Sequence, residues 1–206
     1  MSNLVLLAGD GALARVLTDM LDSSVWNVCG YIGQNKGELF NKPVYSFKTT
    51  PTHLPIILAV LNPIYREEYV QYFGIDRFPS VSDGFFSSWS SMKQGTVVMK
   101  GSYVMNETKL ENFVHVHTTS IVGHNCIIKD YSIIGAGCIV CGYSEIGEKV
   151  RLGVGAKILP HVKIGNCATI GAGAVVREDV PEGVVVGGVP ATVISKTDFN
   201  RFQRNN

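Results

Sequence analysis

Five histidines, at positions 53, 115, 117, 124 and 161, and a glycine-bracketed turn near the N-terminus are the residues of this chain best suited to chemistry. An imidazole titrates near neutral pH and can take or give a proton, and its nitrogens can also ligate a metal. His124 sits in the run Ser120-Ile121-Val122-Gly123-His124-Asn125-Cys126, and His117 precedes it by seven residues. The turn Ala8-Gly9-Asp10-Gly11-Ala12 follows an apolar run, Leu4 to Ala8. A GxG turn of this kind lets a phosphate approach the backbone, and close packing of strand on helix requires it equally well. Cys29, Cys126, Cys138, Cys141 and Cys167 make an odd count with no CxxC pair, so they read as reduced thiols in a cytoplasmic protein.

The elements that position these residues come in two styles. Residues 1–80 alternate buried strand runs with helical patterns, which predicts a small α/β, Rossmann-like unit on a parallel sheet. Its expected strands are Leu4–Ala8, Val25–Ile32 and Ile56–Leu61; its helices are Ala12–Leu21 and one starting near Pro63, where proline suits a first turn. With 18 basic and 17 acidic residues the net charge is +1, and no run of Lys or Arg exceeds two. That leaves no electrostatic footprint for nucleic acid or an anionic membrane. The apolar run at Leu4 is too short for a signal segment or a membrane span.

From Val98 onward a period of six takes over. Val98, Val104, Leu110, Val116, Val122, Ile128, Ile134, Val140, Ile146, Leu152, Ile158, Ile164, Ile170 and Val176 are all aliphatic without a break. The residue four places after each is small or β-branched, from Ser102 and Thr108 through Cys126 and Cys138 to Ala174 and Val180. A β-solenoid explains both: one aliphatic and one small side chain per short strand point into a narrow prism, whose coils stack at the strand spacing of roughly 4.8 Å. Glycine directly follows the aliphatic at Gly123, Gly135, Gly147, Gly153, Gly165 and Gly171, where a side chain would crowd a bend. In this phase His124 lies two places after the inward Val122 and projects outward.

The repeat over residues 92–181 resembles the hexapeptide-repeat acyltransferases, in which three hexads make one triangular coil of a left-handed parallel β-helix. With an α/β unit in front and Gly187-Gly188-Val189-Pro190-Ala191 behind, the chain is similar to the sialic-acid-cluster and bacillosamine-type sugar acetyltransferases. The resemblance implies an α/β nucleotide-sugar-binding subdomain at 1–80, a β-helix acyltransferase domain at 81–196 and a tail at 197–206. It implies acetyl-CoA as co-substrate and a homotrimer with acetyl-CoA in the groove between neighbouring β-helices.

Residue by residue, it gives His124 the part of general base, beside Asn125, and stacks Gly142 one coil beyond, with a backbone N–H for the thioester oxygen. Several relatives carry Asp or Glu where Asn125 stands, so either the base is less activated or another group orients it. Backbone groups of Gly142, Gly153, Gly155, Ala156, Gly171 and Gly173 are implied for CoA, with Lys157, Lys163 and Arg177 as candidates for its phosphates. Gly9, Asp10, Gly11, Asn62 and His117 are the implied substrate contacts. The relatives often have a histidine where Ala12 stands and an acidic pair after the second strand, where Gly33-Gln34 follow here. His53, His115 and His161 carry no motif and are expected to be exposed or structurally hydrogen-bonded. The spacing of 115, 117, 124 and 161 does not reproduce the three-histidine zinc site of hexapeptide carbonic anhydrases, so no metal is expected.

The expected activity is transfer of an acetyl group to the amino group of a nucleotide-linked amino-deoxy sugar for a bacterial surface glycan. The alternatives are O-acetylation of sialic acid or a related sugar, and a non-enzymatic trimer that carries a ligand-sensing head. The His124 and Gly142 pair is the feature that separates an enzyme from the latter.

Overall fold

The computed structural model describes residues 3–9, 11–21, 24–34 and 37–197. It divides into two compact units, with the boundary between Pro79 and Ser80.

The first unit runs β1 (Asn3–Ala8), α1 (Ala12–Met20), β2 (Trp26–Ile32), β3 (Gly37–Leu39), β4 (Lys42–Tyr45), β5 (Ile56–Leu58) and α2 (Pro63–Phe73). The sheet order is β3-β4-β2-β1-β5. β1 lies parallel to β2 and to β5, and β4 parallel to β2, while β3 runs antiparallel at the edge. Val5, Leu6, Leu7 and Ala8 are fully buried, as a central parallel strand covered on both faces requires. The third expected strand stops at Leu58 rather than Leu61, because Asn62 caps α2 and Pro63 opens it. The β3–β4 hairpin gave no apolar alternation to read; its turn is made by Phe40 and Asn41, both left-handed at φ 51° and 57°.

The second unit is the solenoid. Two-residue strands stack into three parallel sheets, one for each face of a triangular prism. Ile121–Val122 belongs to the first face, Ile127–Ile128 to the second and Ile133–Ile134 to the third. Each pairs with the strand 18 residues on, as Ile121 does with Ile139, Ile127 with Glu145 and Ile133 with Arg151. The inward phase holds: every aliphatic from Val98 to Val176 and every small residue from Ser102 to Val180 is buried. Burying one such aliphatic is worth about 1.5–3 kcal/mol. The polar small residues remain satisfied. Thr108 Oγ1, Ser120 Oγ and Ser132 Oγ donate to the carbonyls of Gly123, Gly135 and Gly147 on the next coil, and the thiols of Cys126 and Cys138 do the same to Cys141 and Gly153.

The solenoid starts earlier than the regular aliphatic run. Val81 pairs with Val97, an offset of 16, whereas Phe85 pairs with Tyr103 and Ser91 with Lys109 at 18. A coil two residues short breaks the six-residue phase, which hides it from a periodicity search. The same shortening recurs at the far end, where Ile170 pairs with Val186, before Thr192–Lys196 closes the sheet antiparallel to Val184–Gly187.

Candidate active site

His124 belongs to the corner that joins the first face to the second, made by residues 123–126 and repeated at 141–144 and 159–162. The glycines at these corners serve close approach. Gly123 and Gly142 have no left-handed φ; a Cβ on Gly123 would lie 2.7 Å from the Gly142 nitrogen, which the coils cannot accommodate. The left-handed position is three residues after the inward aliphatic: Glu107, Asn125, Tyr143 and His161 form one column with φ between 56° and 65°.

This corner sets the imidazole in place from three sides. A Cβ on Gly142 would fall 2.8 Å from both Cε1 and Nε2 of His124, so that edge of the ring rests where only a glycine leaves room. Tyr143 meets the ring edge-on, with centroids 5.0 Å apart and planes at 89°, and itself stacks on His161 at 5.0 Å and 1°. His124 Nδ1 hydrogen-bonds to Asn125 Oδ1 at 2.9 Å, and Asn125 Nδ2 donates to the carboxylate of Glu107 on the preceding coil. His124 is exposed and Asn125 half-buried. The backbone amides flanking Gly142 are engaged, Cys141 N–H by Ile158 O and Tyr143 N–H by His124 O, both at 3.0 Å. Among the described residues the Gly142 amide has no such backbone acceptor. A surface cavity of about 550 Å³ opens beside Glu107 and Asn125, lined also by Trp89, Ser90, Lys109 and Ile127.

His124, Asn125 and Gly142 are therefore brought together, and the other residues anticipated within the second unit are not. His117, Gly153, Gly155, Ala156, Gly171 and Gly173 lie at a different corner, the one joining the third face to the first. Gly155 and Gly173 are left-handed there, at φ 71° and 68°, with open space where a Cβ would stand. The Ala156 side chain points into the core, so only its backbone can meet a ligand. Lys157, Lys163 and Arg177 are exposed.

In the first unit Gly9 and Gly11 follow β1 and Asn62 follows β5, so all three lie at the carboxyl ends of adjacent parallel strands. This is the switch point of the sheet, since the chain leaves β1 toward β2 on one side and meets β5 on the other. Gly9 has φ 131°, and a Cβ on it would sit 2.7 Å from Ala59 O. Asn62 Oδ1 accepts the Ile64 N–H at 2.9 Å as the cap of α2, which commits that oxygen to the fold. Asp10 lies outside the described residues.

His53 and His161 are exposed, as anticipated, while His115 is fully buried on the third face, 6.2 Å from His117 between ring centroids. Among the described residues no group of three or more His, Cys, Asp or Glu side chains is placed to hold a metal, and no helix is long and apolar enough to cross a membrane. Sequence reasoning missed the parts of Glu107, Tyr143 and His161 at this corner. The signal that finds them is the coil length: they stand 18 residues apart in the column of Asn125.

Comparison with known proteins places this geometry. A family model described as bacterial transferase hexapeptide (six repeats) matches residues 143–178. YvoF of Bacillus subtilis, named as an acetyltransferase, is 32% identical over 57% of this chain and 67% of its own length. The chain belongs to the hexapeptide-repeat acyltransferases. Among solved members, the acetyltransferase domain of PglB from Neisseria gonorrhoeae, in complex with acetyl coenzyme A, matches with a TM-score of 0.87 and 25% identity over 94% of this chain and all of that one. PerB from Caulobacter crescentus, in complex with CoA and GDP-perosamine, shares the fold at a TM-score of 0.85 and 23% identity, covering 95% and 98% of the two chains. The solenoid is thus the left-handed β-helix of these acetyltransferases, preceded by a short α/β unit.

Proposed function

We propose that this acetyl-CoA-dependent acyltransferase acetylates the amino group of a nucleotide-linked amino-deoxy sugar, by direct transfer, with His124 as the general base. The observation that carries the reading is the pairing of the His124 ring with Gly142: the Nε2 edge of the imidazole rests against Gly142, whose amide N–H has no backbone acceptor among the described residues. His124 Nε2 takes a proton from the acceptor amine as its nitrogen forms a bond to the thioester carbonyl carbon. The Gly142 N–H donates to the carbonyl oxygen as negative charge develops there. The imidazolium then returns the proton to the departing CoA sulfur as the carbon–sulfur bond breaks, leaving N-acetyl sugar, CoA thiol and neutral histidine.

Gly9 and Gly11 at the sheet's switch point, with the N-terminus of α1, suit the phosphates of a nucleotide, and PerB, of the same fold, is complexed with GDP-perosamine. The glycines at 153, 155, 171 and 173 suit the close approach of a pantetheine arm. Because they stand at one corner of the prism and His124 at another, a complete site needs a second copy to bring its glycine corner to this chain's histidine corner. This supports a homotrimer. The product would enter a bacterial surface glycan, and the reduced thiols fit a cytoplasmic setting.

Thermal-shift measurements with UDP, dTDP, GDP and CMP test the acceptor class. At about 100 times its Kd a nucleotide that binds only the folded state stabilises it by about 2.7 kcal/mol, so one of the four should raise Tm by several degrees. No shift with any of them would remove the nucleotide from the substrate.

A further inference from the structure

The residue beside the histidine, Asn125, carries an amide and no charge, and the structure supplies a carboxylate at one remove. A carboxylate oxygen can only accept hydrogen bonds. Glu107 therefore admits just one orientation of the Asn125 amide, with Nδ2 turned toward Glu107 and Oδ1 toward His124. Oδ1 in turn accepts only, so His124 Nδ1 must carry the proton of the neutral ring. The remaining lone pair is then on Nε2, the nitrogen that rests against Gly142. We propose that Glu107 is the positioning residue of this site: acting through the Asn125 amide, it selects the His124 tautomer whose Nε2 is free to act as base.

The left-handed corner makes this contact possible. Glu107 and Asn125 are consecutive members of one column, at φ 59° and 56°, so their side chains leave the backbone in the same direction on adjacent coils. Were the Asn125 amide reversed, its NH₂ would donate to Nδ1, the ring proton would move to Nε2, and the nitrogen facing Gly142 could no longer accept a proton. Nothing in His124 or Asn125 alone forbids that arrangement; the carboxylate of Glu107 does. The inference rests on His124 being the base.

Its test is Glu107→Gln, which preserves shape but can accept or donate and so tolerates either amide orientation. Imidazole ¹⁵N resonances should show His124 as the Nδ1–H tautomer in the parent protein and as a mixture in E107Q. Turnover should fall about tenfold, in line with the loss of an outer hydrogen-bond partner, with KM for both substrates unchanged. Exchanging the two groups, E107Q with N125D, restores the one-way chain, since the carboxylate now beside the ring accepts from Nδ1–H and the amide one coil below donates to that carboxylate. The exchanged pair should recover the Nδ1–H tautomer and most of the lost turnover, which a merely structural role for Glu107 would not produce. An E107Q protein that kept the single tautomer and full turnover would overturn the proposal. So would a loss confined to KM of the acceptor, which would make Glu107 a substrate contact. H124A in the same assay separates the two layers: if it retains turnover, the base assignment fails, whereas the ring tautomer in E107Q still reports on the relay by itself.

Discussion

Two corners of the same prism use one backbone turn for opposite purposes. At the corner of His124 the left-handed positions hold Glu107, Asn125, Tyr143 and His161, side chains that reach along the column and fix one another. At the corner of Gly153 the equivalent positions of the later coils hold Gly137, Gly155 and Gly173, which present bare backbone. The turn geometry is nearly equal, φ 56° at Asn125 and 71° at Gly155, so the contrast lies in what the turn carries. A repeat fold makes its corners interchangeable; under the proposed function, side chains then divide the labour between proton transfer and the cradling of a long co-substrate.

The largest effect should come from the histidine corner. His124→Ala is expected to lower turnover by roughly 10²- to 10⁴-fold while acetyl-CoA affinity stays within a small factor, since it removes the base and leaves the glycine corner untouched. The rate of the parent enzyme should fall at low pH as one group becomes protonated, and the residual rate of H124A should lack that limb. Steady-state kinetics with a pH profile check both. Equal losses in affinity and turnover would mean that the two corners are not separable.

A smaller effect of the opposite kind should come from the glycine corner. Gly155→Asn suits the left-handed φ, because asparagine tolerates it better than most residues, and adds a side chain where there is open space. KM for acetyl-CoA should rise about tenfold with little change in kcat, the signature of lost binding that is uniform between ground and transition states. A fall in kcat alone would place this glycine with the chemistry.

The smallest effect concerns the core that both corners share. Burial pushes the Cys138 thiol up to about 11, and raises that of Cys126 as well. An unfolded chain gives up the Cys138 proton at the ordinary thiol value while the folded chain still holds it, so the folded state binds more protons between the two and stability must fall as pH rises through that window. Tm should be level from about pH 7 to 8 and decline above about 9, less steeply in Cys138→Ala, and both buried thiols should label slowly at neutral pH. A decline unchanged by C138A would assign it elsewhere.

What the sequence made legible follows from distance along the chain. The six-residue phase placed every inward residue from Val98 to Val180, and His124 outward, because that alternation is local. Stacking Gly142 on His124 needed only the coil length. Glu107 stayed hidden although the same coil length stacks it on Asn125, because neither residue type announces the other. The coil beginning at Val81 was hidden by its 16-residue offset, and the β3–β4 hairpin by strands too short to alternate. In the first unit the strands at Leu4–Ala8 and Val25–Ile32 were readable to within a residue at either end, while the third stops three residues short of Leu61.

The central claim is that base and co-substrate glycines meet only between copies, and mixed assemblies test it directly. H124A and a Gly155→Asn, Gly173→Asn double variant, each nearly inactive at limiting acetyl-CoA, should be unfolded together in equal amounts and refolded. If each site joins one copy's histidine corner to a neighbour's glycine corner, random mixing leaves about a quarter of the sites with both corners intact, and about a quarter of the parent activity should return. Activity no higher than the average of the two variants alone would contradict the account.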